Sequence, residues 1–186
     1  ADSLDIDGNA DISGNITSAG WTGDVIASAY LDADTAHLSE TQTFTGKKQI
    51  NIRNFKVSSA VDGNYNGDVV YFGGTTEMTI GTIYHYKSDG TWEAADADAV
   101  ATCDGLLAVA LGAASDTNGM LLRGMVTLDH DPGAVGDVLF LSTTAGDATA
   151  TAPSGSGDIV RVIGYCLHAS AGNIWFNPDG TYVEVA

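Results

Sequence analysis

Basic residues are scarce in this chain. Seven Lys and Arg stand against 24 Asp and Glu, a formal charge of −17 over 186 residues. A field of that sign repels polyphosphate backbones and anionic headgroups, so no nucleic-acid partner and no membrane insertion are expected. Glu is nearly as rare, with 4 against 20 Asp. Together with the shortage of Lys and Arg this excludes a long helical bundle or coiled coil. No apolar run approaches the roughly 18 residues of a membrane span. Two cysteines, Cys103 and Cys166, make no disulfide framework. Both lie beside or within apolar runs, which reads as small buried side chains, with a disulfide as the alternative. Ala1 is not followed by a basic and then an apolar stretch, so no secretory leader is expected.

What the chain has is 44% hydrophobic residues and 23 glycines, enough for a core and for many turns. The pattern changes along its length. In Leu4–Ile16, two turn signals, Asp7-Gly8-Asn9 and Ser13-Gly14-Asn15, are six residues apart. Leu4, Ala10 and Ile16 share one column of that register, and Ile6 and Ile12 another. Alternation between the turns is strand periodicity. Strands this short cannot bury their apolar columns alone, so residues 1–20 read as a β-repeat shaft wound against identical chains.

Residues 21–58 read as an extended, intertwined neck. Ser28–Leu38 is the best place for a helical turn, and Thr41–Ile52 resumes alternation around Phe44, Ile50 and Ile52. Lys47, Lys48, Arg53 and Lys56 are four of the seven basic residues, and they read as partners for acidic groups on adjoining chains.

From residue 59 onward, short apolar segments separated by turn chemistry predict a compact antiparallel β-barrel or sandwich. The predicted strands are 68–72, 83–87, 91–95, 106–111, 120–128, 138–142, 159–168, 174–177 and 181–185. Ser88-Asp89-Gly90 and Pro178-Asp179-Gly180 are among the turns. An internal echo runs through this half at an offset of 55: Gly81–Tyr86 falls on Gly136–Leu141, and Leu106–Leu111 on Arg161–Cys166. Two related β-units in one domain would produce it.

Chemistry is harder to find. Asp5-x-Asp7-x-Asn9-x-Asp11 fails as a calcium loop, because Ala10 and Ile16 stand where such a loop needs Gly and a bidentate Glu. Asp129-His130-Asp131 and Asp96-x-Asp98 have donor oxygens, but Asp131-Pro132-Gly133 is explained by a turn. The four histidines are dispersed, with no zinc spacing, and nucleophile-elbow and phosphate-loop patterns are missing. No metal site, no cofactor and no enzymatic activity are expected. Aromatic residues are the better lead. Tyr84, Tyr86 and Trp92 flank Ser88-Asp89-Gly90, with both tyrosines on one face. They form a core element or an exposed recognition platform, in which case His85 and Asp89 would line the rim.

The chain resembles the C-terminal part of a tailed-bacteriophage fibre. The residues that carry the likeness are Leu4–Ile16, Ala36-His37-Leu38 with Thr41–Lys47, Gly136–Gly146, and Val160–Tyr165 with Ile174–Val185. The resemblance implies a homotrimer with an intertwined β shaft and a globular tip. The tip would meet a glycan or protein of the bacterial surface, and other virion proteins would join on the N-terminal side. It implies no catalytic motif. Head fibres and decoration proteins of virions share such repeats and are the alternative.

Overall fold

The computed structural model describes residues 55–186. The shaft, the helical turn at Ser28–Leu38 and the neck up to residue 54 lie outside the described residues. The described part is nearly all β, as expected.

The strands are β1 (Tyr65–Val70), β2 (Ile83–Tyr86), β3 (Trp92–Ala94), β4 (Leu107–Ala110), β5 (Met120–Thr127), β6 (Val138–Leu141), β7 (Ala148–Thr149), β8 (Ile159–Val160), β9 (Val162–Cys166), β10 (Asn173–Phe176) and β11 (Val183–Glu184). One four-residue helix, Ser115–Asn118, and a 3-10 turn, Val100–Thr102, complete the elements. Every pairing is antiparallel, in the order β3-β2-β4-β5-β10-β9-β6-β7, with β1 on β5 and a separate β8–β11 pair. The observed strands depart from the predicted ones in places: the first runs over Tyr65–Val70 rather than 68–72, the segment 159–168 breaks at Arg161, and β7 falls where no strand was predicted.

β5 organises the sheet. Met120 pairs with both Val70 and Ala110, and Val126 with both Tyr65 and Ile174. A strand residue has one partner per edge, so β1 runs along one edge while β4 and β10 lie end to end on the other. The sheet thus has two arms, a first of β3-β2-β4 with the start of β5 and a second of β10-β9-β6-β7 with the end of β5, which fold toward each other. Ile83 N–H donates to the Gly146 carbonyl at 2.8 Å, Gly146 N–H to Ala95 at 2.7 Å, and Ala97 N–H to Ser142 at 2.9 Å. These bonds join the far ends of the arms, so the sheet curls into a half-barrel around one core. Ile83, Leu107, Val109 and Leu121 from the first arm meet Leu139, Leu141, Ile163, Ile174 and Phe176 from the second.

The echo at 55 residues is a repeat of structure. Val109↔Leu121 and Ala110↔Met120 in β4–β5 become Gly164↔Phe176 and Tyr165↔Trp175 in β9–β10, both partners displaced by 55. His85↔Leu107 becomes Phe140↔Val162 in the same way. A bulge between Leu139 and Phe140 shifts the remainder of β6.

The outer faces of the two arms differ. On the first, Met78, Tyr84, Trp92, Ala108, Ala110 and Met120 form a second cluster, covered by Val70 at the end of β1 and Phe72 from the β1–β2 connection. Strand β4 is therefore buried on both faces. On the second arm, Val138, Tyr165, Trp175 and Met125 follow one another across β6, β9, β10 and β5 as paired residues, and so share a face. Tyr165 is 48% exposed there. Phe55 meets Trp175 edge-on at 5.2 Å, so packing onto the head begins ahead of residue 59.

Candidate functional site

The β2–β3 hairpin carries all five residues singled out from the sequence. Its turn closes by Lys87 N–H to the Thr91 carbonyl at 2.9 Å and Gly90 N–H to the Lys87 carbonyl at 3.0 Å. Gly90 takes a φ of 84°, which explains glycine at this point. Asp89 caps the turn, accepting from the Thr91 hydroxyl at 2.7 Å and the Thr91 amide at 3.0 Å. Those two bonds, with Lys87 Nζ at 3.1 Å, pull the exposed Asp89 carboxyl down to about 2. The same contact with Asp89 raises the Lys87 ammonium above its ordinary value.

Three of the five residues are buried, which corrects the idea of an exposed aromatic platform. Trp92 is 3% exposed and Tyr84 8%. Trp92 Nε1 donates to the Phe72 carbonyl at 2.8 Å, and the Tyr84 hydroxyl accepts from Thr79 N–H at 2.9 Å. Phe72, Tyr86 and Trp92 stack together with centroids 4.9 to 5.5 Å apart. The tyrosines do share a face, but residues 70–79 lie over it. Their cover has no strand alternation, so periodicity could not announce it. Asp89 and part of Tyr86 stay accessible, together with Lys87 and Ser88 at the tip.

His85 points the other way, toward the inner side with Ile83 and Leu107, and is 1% exposed. Neither ring nitrogen has a hydrogen-bond partner. Nε2 stands 3.6 Å from Glu93 Oε2, and Nδ1 3.8 Å from Asp104 Oδ1. Both gaps exceed the 2.7–3.2 Å of a hydrogen bond. A cavity of about 240 Å³ opens here, lined by His85, Lys87, Ser88, Ala101 and Asp104.

Arg161, at the break between β8 and β9, holds the loop that carries Asp104. Its guanidinium donates to the carbonyls of Cys103, Gly105 (2.8 Å) and Asp179 (2.7 and 3.0 Å). Burial pushes this guanidinium below its ordinary value, and the sharing of its protons among backbone oxygens is what makes burial tolerable.

A second cluster joins distant positions: Asp129, His130 and Asp147 place ligand atoms within 4.8 Å of one another. Asp131, which the sequence assigned to a turn with Pro132-Gly133, accepts from Gly172 N–H at 2.9 Å. Asp129 and both nitrogens of His130 are engaged in hydrogen bonds. His130 Nδ1 lies 2.8 Å from Asp129 Oδ1, Nε2 accepts from Ala148 N–H at 2.9 Å, and Thr82 donates to Asp129 Oδ2 at 3.0 Å. Its evident work is to tie β7 to the β5–β6 connection. Asp96 has a similar local role, accepting from Asp98 N–H at 3.0 Å.

Cys103 and Cys166 are both buried and free. Burial raises both thiols, which keeps them protonated and poor nucleophiles. Among the described residues no helix is long and apolar enough to cross a membrane. No family model, curated protein or solved structure matches this chain.

Proposed function

We propose that this chain is the C-terminal part of a virion fibre, a homotrimer whose β-head meets the bacterial surface without chemistry of its own. The observation that supports the reading best is the apolar row Val138, Tyr165, Trp175 and Met125, beside Phe55. At the matching place in the first arm, the pair Ala110↔Met120 is fully buried under Val70 and Phe72. The second arm carries larger side chains at the equivalent pair and leaves Tyr165 half exposed. In a trimer, sister heads cover this row, and the hexad columns of residues 1–20 are shared in the same way. The assembly belongs on the virion, with its N-terminal side joined to other virion proteins.

Two measurements test the proposal on the full chain. Sedimentation equilibrium is expected to give three times the 19.1 kDa chain mass, and Tyr165→Glu to shift the population toward monomer. A stable folded monomer in the unmodified protein would overturn it. Host recognition is tested by binding of labelled protein to a panel of bacterial cells, with Lys87, Ser88 and Asp89 all replaced by Ala. The replacement is made at the tip alone because Tyr84 and Trp92 are core residues whose removal would unfold the hairpin. Loss of cell binding supports an adhesin. The burial of Tyr84, His85 and Trp92 favours a second reading, a structural head fibre or decoration protein with no receptor role. That reading expects a trimer that binds no cell in the panel.

A further inference from the structure

We propose that the cavity beside His85 is a divalent-cation site, with His85 Nδ1 and Asp104 as its protein ligands. Two independent observations meet here. One is the half-exposed carboxylate of Asp104 at the wall of a 240 Å³ cavity, and the other is a fully buried imidazole with both nitrogens unpaired. A buried nitrogen without a partner carries an uncompensated desolvation cost, which selects against leaving it so. The spacing points to an ion. Zinc holds nitrogen and oxygen ligands at about 2.0–2.2 Å, so two of them at the tetrahedral angle are about 3.4 Å apart. The 3.8 Å between Nδ1 and Asp104 Oδ1 is too long for a hydrogen bond and needs only a few tenths of an ångström to close around an ion.

The opposite nitrogen completes the arrangement. With Nδ1 on the ion, the proton sits on Nε2, which faces Glu93 Oε2 at 3.6 Å. A metal-bound histidine ordinarily gives its other N–H to a carboxylate, and Glu93 is the carboxylate placed to close in and accept it. Lys87 lines the same cavity, but Asp89 at 3.1 Å and Glu93 at 3.8 Å already match its charge. Arg161 holds the carbonyls on both sides of Asp104, so the backbone that carries the carboxylate is fixed before any ion arrives. The cavity has room for the waters that must fill the remaining coordination positions, at about 30 Å³ each. An imidazole and a carboxylate suit Zn²⁺ or Mn²⁺ better than a large hard ion such as Ca²⁺. The Asp129–His130–Asp147 cluster serves as an internal contrast, since its imidazole offers no unpaired nitrogen. The proposal stands independently of the fibre reading.

Calorimetric titration of the full metal-stripped chain with Zn²⁺ alone tests it, followed by nitrogen NMR of the histidine rings. One site per chain is expected, with the Nδ1 resonance of His85 carrying the shift. Asp104→Asn, at an exposed carboxylate, should weaken binding at least tenfold without unfolding the head. His85→Gln should abolish it, and His130→Gln should leave it unchanged. Absence of saturable binding, an unchanged isotherm for Asp104→Asn, or loss of binding on His130→Gln would each overturn the assignment.

Discussion

At the scale of single residues, Asp89 shows how one carboxylate can organise a turn. Its hydrogen bonds exist only in the folded hairpin, so its carboxyl titrates near 2 there and near 3.8 when the chain is unfolded. The folded state binds fewer protons in that interval. Its stabilisation is therefore complete above about pH 4 and fades as pH falls toward 2. The Asn variant keeps an acceptor for Thr91 and loses the titration. The difference in unfolding free energy between wild type and Asp89→Asn is expected to be flat above pH 4 and to shrink between pH 4 and 2. A difference that stays constant through that window would show that Asp89 is not engaged by Thr91 in solution. The turn itself was readable from Ser88-Asp89-Gly90. The fate of its flanking aromatics was not, because alternation assigns Tyr84 and Tyr86 to a common face without saying what covers that face.

Among elements, the informative one is the break between β8 and β9. A continuous apolar stretch from Ile159 to His168 reads as one long strand, yet Arg161 splits it. Its carbonyl still accepts from Leu141 N–H at 3.0 Å, while its guanidinium donates to the carbonyls of Cys103, Gly105 and Asp179, which are far away in sequence. Arg161→Met keeps the apolar stem and removes those donors. It is expected to cost about 3 kcal/mol in urea denaturation, since buried carbonyls are left unpaired. A loss below about 1 kcal/mol would mean that water replaces the guanidinium. Gly164 marks a second constraint on this arm. A Cβ there would stand 1.8 Å from the Trp175 carbonyl, so β9 and β10 approach as closely as they do only because the residue is glycine. The first arm has Val109 at the equivalent place. The two copies have thus diverged in side chains while keeping the register of the β4–β5 and β9–β10 pairs.

For the whole molecule, electrostatics and apolar exposure pull in opposite directions. Three chains at −17 each carry a formal charge of −51, which opposes association at low salt. The row around Tyr165 and Trp175 favours it. Raising ionic strength screens the first term and leaves the second largely untouched. Trimer formation is therefore expected to strengthen from low salt to about 0.15 M, as measured by sedimentation of the full chain. Weakening over that range would mean that ion pairs, such as those open to Lys47, Lys48 and Arg53, dominate the contact.

Composition and periodicity by themselves determined the β class, nearly every strand, the principal turns and the doubled unit, since all of these are local or depend on a repeated local pattern. Only tertiary structure decided which face of each strand is covered and which histidine is left unpaired. In sequence His130 sits between two aspartates and His85 between two tyrosines, which would suggest that His130 is the one left for a ligand. One has both nitrogens bonded and the other neither, because β3, the loop around Asp104 and the β7 backbone reach these rings from remote points of the chain. Contacts of that kind depend on how the two arms curl together, a property no short window of residues contains.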